Sequence, residues 1–133
     1  MSALLQVRDL SVFFGGVTAV DNVSFDLERG AALGIVGESG SGKSVTCRAL
    51  MRLLPRTARI EGRVEFENRD LLTAPEDEID GLRGKRLAMI FQTPASHLDP
   101  LMRIGDQVAE TLRKHTQMNA PSIREEVLRL LDV

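Results

Sequence analysis

Apolar and polar positions alternate most cleanly near the start of the chain, where Val23, Phe25 and Leu27 are interleaved with Ser24, Asp26 and Glu28. A period of two sends successive side chains to opposite faces, so this stretch predicts a strand with one apolar face. Upstream, Leu4 to Phe14 mixes the two classes less regularly, and Gly15-Gly16 supplies a turn between the two strands. Arg29-Gly30 then leads into Ala31-Ala32-Leu33-Gly34-Ile35-Val36, apolar on both faces, the pattern of a strand buried inside a parallel sheet. Past a glycine-rich loop, Lys43 to Leu54 predicts a helix with Leu50, Leu53 and Leu54 as its buried stripe. Arg48 and Arg52 share another, solvated face, and Pro55 marks the stop.

Further on, Val64 and Phe66 alternate in a short strand over Arg63 to Glu67, and an acidic helical turn runs from Pro75 to Leu82. Leu87 to Phe91 is a compact apolar strand ending at Gln92. Beyond Thr93 the periodicity becomes helical. Ile104, Val108 and Leu112 stripe a helix over Ile104 to Lys114, and Asn119 to Ser122 breaks it. Ile123, Val127, Leu130 and Leu131 then stripe a last helix. Strands thus dominate before Gln92 and helices after it, which predicts two subdomains, 1–92 and 93–133.

Composition narrows the class without naming a chemistry. A chain of 133 residues, 43% of them hydrophobic, can enclose a core without disulfide or metal staples. Seventeen basic against nineteen acidic residues give a net charge of −2, without the basic excess of a nucleic-acid binder. The lone Cys47 cannot form an intramolecular disulfide and suits a reducing cytosol. No stretch approaches the ~18 apolar residues of a membrane span. Arg8 and Asp9 come too early for a signal peptide. These features predict a cytoplasmic protein.

The chemistry lies in Gly37-Glu38-Ser39-Gly40-Ser41-Gly42-Lys43-Ser44, a complete G-x-x-x-x-G-K-S between a buried strand and a helix. At average residue frequencies a chance match arises on the order of once in two hundred such chains. Gly40 and Gly42 can take backbone angles closed to other residues, so that consecutive N–H groups point at one anion. The helix start adds unsatisfied N–H groups and a positive dipole end. Lys43 brings a mobile charge for the β- and γ-phosphates, and the Ser44 hydroxyl is placed to ligate magnesium. Glu38, Ser39 and Ser41 act through their backbones. The expected ligand is ATP with Mg2+. The bland alternative is an ordinary Gly/Ser turn before a helix.

Together with Val23 to Gly30 and Phe91-Gln92, this loop resembles the ATPase subunit of an ABC transporter. Gly34 to Ser44, Met89-Ile90-Phe91-Gln92, Gln92 to Pro100 and Ile104-Gly105-Asp106-Gln107 are similar to the oligopeptide/dipeptide importer branch. Thr93 and Asp99 depart from its usual Asp and Asn. The resemblance implies an α/β P-loop NTPase of the ABC ATPase type: a mixed sheet around the P-loop helix, an antiparallel β subdomain and the start of an α-helical subdomain. It makes Gln92 the Q-loop glutamine, able to reach Mg2+ or the attacking water, and Phe14 the aromatic that stacks on adenine. It implies membrane permease subunits docking behind Gln92, a second ATPase subunit, and a peripheral position on the cytoplasmic face of the inner membrane.

The resemblance reaches about halfway through the family's domain. The Leu-Ser-Gly-Gly-Gln signature, the strand ending in Asp-Glu and the switch histidine would lie beyond Val133. Two expectations follow: negligible hydrolysis by this chain alone, and exposed edges and apolar faces along Leu33–Val36 that make it loosely folded or prone to aggregate. Two other readings stay open. One is a short, non-catalytic nucleotide-binding or interaction protein. The other is a small-molecule kinase, against which Val23 to Gly30 and the Gln92 region speak. His97 and His115 read as solvated histidines, Cys47 as a small buried helix residue, and Ile104/Val108/Leu112 as core or a permease-facing layer.

Overall fold

The structure, a computed structural model, describes residues 3–132. Met1 and Ser2, on which the reading of the N-terminus bears, and Val133 lie outside the described residues. The chain forms two compact units, Met1–Ile79 and Asp80–Val133.

The first unit is built on an antiparallel sheet in the order β2-β1-β3-β4. Its strands are β1 (Leu5–Phe14), β2 (Val17–Leu27), β3 (Ala58–Phe66) and the short β4 (Arg69–Asp70). Registration stacks apolar residues in rows across three strands: Leu27–Leu5–Phe66, Phe25–Val7–Val64 and Val20–Val12–Ile60. Such cross-strand pairs are the unit of sheet stabilisation. Val7, Leu10, Val12 and Val64 are wholly buried.

The irregular pattern of β1 has a physical cause. Val7 and Leu10 are an odd step apart, so a plain strand would point them to opposite faces. A bulge solves this: the register shifts between Val7 and Leu10, and Asp9 takes a left-handed φ of 52°. Opposite it, Gly62 (φ 105°) leaves room where a Cβ would stand 2.6 Å from the Arg8 and Asp9 carbonyl oxygens. Ser24 Oγ accepts from Asp9 N at 2.8 Å, holding the kink.

Helix α1 (Lys43–Leu50) is shorter than its predicted span, and it ends before the proline. Arg52 adopts φ 51°, Leu53 N donates to Arg48 O (2.9 Å) and Arg52 N to Ala49 O (3.0 Å), a Schellman closure with Arg in the place usually held by Gly. Long-range contacts hold it there. The Arg52 guanidinium donates to Ala74 O at 2.5 Å and pairs with Glu76 at 2.9 Å, so Arg52 is no solvated surface residue. The residues α1 buries are Thr46 and Ala49, small enough for close approach, rather than the predicted leucines; Leu53 is exposed.

Two predicted strands are not formed among the described residues. Ala31–Val36 forms no regular element and no ladder, and Leu33, Ile35 and Val36 are 46%, 41% and 93% exposed. Leu87–Phe91 keeps a single bridge, Leu87 to Arg83, and Ile90 is 93% exposed. A doubly apolar strand becomes regular only between neighbouring strands, and neither segment has them here.

The acidic turn is α2 (Glu76–Leu82), with Ile79 buried, and the division between units falls within it. In the second unit, α3 (Ile104–His115) and α4 (Ala120–Leu131) pack through Ala109, Ile123 and Val127, flanked by Val108 and Leu112. Ile104, Leu130 and Leu131 are exposed, so only part of each predicted stripe is core. Asn119 ends one helix pattern by starting the next: its Oδ1 accepts from Ser122 N at 3.0 Å as the α4 N-cap. Of the two histidines, His115 differs from the solvated reading: it is half-buried against Gly84, where a Cβ would lie 2.9 Å from its Nε2, whereas His97 is exposed, with one face stacked on Phe91.

Candidate nucleotide-binding loop

Between Val36 and α1, the chain curls rather than continuing straight. Gly40 and Gly42 adopt φ 80° and 88°, and Ser41 N donates to Glu38 O at 3.2 Å. Gly42, left-handed at ψ 1°, is the N-cap of α1, and no side chain caps it. The opening N–H groups of a helix have no acceptor within it, so those of α1 face the loop with the positive end of the dipole.

β2 seats this turn. A Cβ on Gly42 would stand 2.4 Å from Ala19 O and 3.3 Å from Val20 Cγ2; one on Gly37 would stand 2.6 Å from Ser41 Oγ. The first positions the helix mouth on the rigid sheet, and the second keeps the loop tightly curled. Thr46, buried, donates its hydroxyl to Gly42 O at 2.9 Å and so fixes the cap from inside the helix. Sequence reasoning missed Thr46 and Ala19. A threonine four residues past the last loop glycine is a usable signal for the first; Ala19 contributes a backbone carbonyl and leaves no trace in the sequence.

Lys43 lies across the loop. Its ammonium donates to Gly37 O (2.8 Å), Glu38 O (2.6 Å) and Ser41 Oγ (3.3 Å). A cation thereby rests on the rim of a ring of backbone groups, and Ser44 is exposed on the first turn beside it. Left-handed glycines, an uncapped helix start and a folded-back lysine suit the phosphate chain of a nucleotide, and the exposed hydroxyl suits a metal that keeps most of its ligands as water and phosphate.

The other candidates stand apart in the chain. Phe14 closes β1, half-buried, paired with Val17 and Ala58. Its neighbour Phe13 is covered by the Arg59 guanidinium, 4.2 Å from the ring centroid. Because successive strand residues face opposite ways, Phe14 is the ring of the pair not engaged by Arg59. Gln92 is exposed in the second unit, directly after Phe91.

The ABC transporter family model matches residues 20–132. The chain belongs to this family. Among its relatives, the oligopeptide transport ATP-binding protein OppD of Escherichia coli is 48% identical over 98% of this chain and 40% of its own length. The dipeptide transport ATP-binding protein DppD of Lactococcus lactis is 52% identical over 86% of this chain and 34% of its own. The chain therefore spans about two fifths of the length of such relatives. Among solved structures, a dimeric ATP-binding cassette in a post-hydrolysis state, bound to ADP and Pi, superposes with a TM-score of 0.80 at 25% identity, over 96% of this chain and 56% of that one. The fold is the N-terminal portion of an ABC ATPase cassette. Its antiparallel sheet and P-loop helix are formed here, and the α3–α4 pair follows. Among the described residues no helix is long and apolar enough to cross a membrane.

Proposed function

We propose that this chain is the ATP-binding part of a subunit that energises an ABC importer of di- and oligopeptides. The single observation that carries this is the curled Gly37–Ser44 loop, with Gly42 left-handed at the uncapped mouth of α1 and Lys43 across it. Backbone N–H groups of the loop and of the first helical turn hold phosphate oxygens, Lys43 neutralises their charge, and Ser44 ligates Mg2+. Phe14 stacks on the adenine. Gln92 senses the γ-phosphate from the junction between residues 1–92, the first half of the nucleotide-binding core, and 93–133, the start of the helical subdomain. The peptide cargo is suggested by relatives named for oligopeptide and dipeptide transport. A second ATPase subunit is suggested by the dimeric cassettes that share the fold. Permease subunits dock behind Gln92, and the whole lies on the cytoplasmic face of the inner membrane.

Phosphoryl transfer to water needs an oriented nucleophile beside the charge stabilisation that Lys43 and Ser44 offer. These 133 residues by themselves therefore bind ATP without turning it over. Calorimetric titration with ATP tests this reading: binding is expected with Mg2+, to weaken in EDTA, and to lose that metal dependence in Ser44→Ala. ATP binding indifferent to Mg2+, or multiple-turnover phosphate release abolished by Lys43→Ala, would overturn the scheme.

A further inference from the structure

The chain reverses immediately after Gln92. Pro94–His97 forms a 3-10 turn in which Ser96 donates to Thr93 O twice, from N at 3.2 Å and from Oγ at 2.7 Å. Thr93 Oγ1 lies 3.0 Å from Ser96 Oγ, tightening the same turn. The reversal lays the His97 imidazole on the Phe91 ring, with centroids 3.8 Å apart and planes inclined by 23°. Gln92 is thus bracketed: the residue before it is held by a ring carried on the turn after it.

A second anchor follows. The Gln107 amide, on α3, accepts from Asp99 N at 2.9 Å and donates to Asp99 O and Met102 O, both at 3.0 Å. Asp99 Oδ1 also accepts from Leu101 N at 2.8 Å. One side chain thereby satisfies three backbone groups of an exposed loop and ties it to a helix. Loops without regular structure ordinarily sample many conformers, and this one is pinned at both ends.

We propose that His97 and Gln107 form a two-point clasp that fixes the backbone on either side of Gln92, His97 acting as a positioning residue for the Gln92 amide. The stacked ring sets where Gln92 leaves Phe91, and the Gln107 amide joins the returning chain to α3. A change in the Gln92 environment then reaches α3 through two discrete contacts rather than through a slack loop. This device rests on the proposed reading of Gln92 as the residue that responds to the γ-phosphate.

The test uses the whole chain, as wild type, His97→Ala, His97→Phe and Gln107→Ala, followed by NMR. Amide exchange at Ser96, Leu98 and Asp99 reads the clasp without nucleotide. Loss of an aromatic stack is expected to raise exchange roughly threefold to tenfold in His97→Ala, and His97→Phe should restore protection by replacing the ring. Gln107→Ala should raise exchange at Asp99 while leaving α4 amides unchanged. The second readout is the difference in the Gln92 side-chain amide signal between Mg2+-ATP and Mg2+-ADP. That difference should collapse in His97→Ala at unchanged ATP affinity and return in His97→Phe. Unchanged exchange in His97→Ala, or a Gln92 response indifferent to position 97, overturns the clasp. Absent ATP binding by wild type, with position 97 still controlling exchange, overturns instead the nucleotide reading on which the role of Gln92 rests.

Discussion

Replacing Gly42 by alanine probes how firmly β2 seats the loop. Two costs arise at that position. A left-handed backbone costs a residue with a Cβ about 1–2 kcal/mol, and Gly42 has φ 88°. The new Cβ would also stand 2.4 Å from Ala19 O. That carbonyl cannot give way easily, because the neighbouring Thr18 and Val20 are registered against Phe13 and Val12. Overpacking of this kind adds about 1–3 kcal/mol, for a total of about 2–5 kcal/mol, a large share of a domain's usual 5–15 kcal/mol. Gly40 is the matched control, with φ 80° and nothing within 4 Å of its Cβ position, so Gly40→Ala carries the backbone cost alone. Urea unfolding followed by circular dichroism, combined with ATP titration, measures both. Where the loop relaxes off β2 instead of unfolding the sheet, the extra 1–3 kcal/mol surfaces as about fivefold to hundredfold weaker ATP binding. Should the two variants agree within about 0.5 kcal/mol in stability and match in affinity, the seat on Ala19 does not exist in solution.

Three other outcomes are expected. Arg52→Ala removes the charged hydrogen bond to Ala74 O and the pair with Glu76, itself 59% exposed and so minor; unfolding should show a loss of about 1–3 kcal/mol. Arg52→Gly relieves the φ of 51° and should lie about 1 kcal/mol above the alanine variant; equal losses would refute the helix-closing role. The hydrogen bond from Arg8 holds the Asp26 carboxyl below its ordinary range, so the pair's stabilisation is complete above that range and disappears as pH falls through the depressed value. NMR titration should find the Asp26 midpoint raised back into the ordinary carboxylate range in Arg8→Ala; an unmoved midpoint means that the contact is not kept in solution. Finally, Val36→Ser with Ile90→Ser, each at a side chain 93% exposed, should reduce concentration-dependent self-association in sedimentation, and no reduction would locate the adhesive surface elsewhere.

How far the sequence could be read depends on how local each cause is. The loop was legible because its glycines, lysine and helix start act on one another across a few residues, and the structure puts Gly40 and Gly42 in the left-handed region expected of them. The α4 start was legible as a break, since Asn119 caps its own helix. The Asp9 bulge was visible only as disorder in the alternation, because its cause includes Gly62 on another strand. Arg52 looked like one of two exposed arginines; its conformation is decided by Ala74 and Glu76, distant in the chain. Ala31–Val36 and Leu87–Phe91 carry the composition of buried strands, yet composition cannot supply the neighbours that pairing needs. The stacking of His97 on Phe91 follows from the turn at Pro94–His97, and residue type alone gave no hint of it.

The most direct test of the proposed nucleotide-binding loop compares ATP and adenosine binding by wild type and Lys43→Ala, by calorimetry at fixed Mg2+. The hydrogen bonds of Lys43 among the described residues go to the loop itself, and a charge-assisted hydrogen bond is worth about 1.5–3 kcal/mol. ATP affinity should therefore fall about tenfold to a hundredfold, with adenosine binding unchanged. Equal ATP affinity in the two proteins, or a wild type that binds adenosine as tightly as ATP, would contradict a phosphate nest between Gly37 and Ser44.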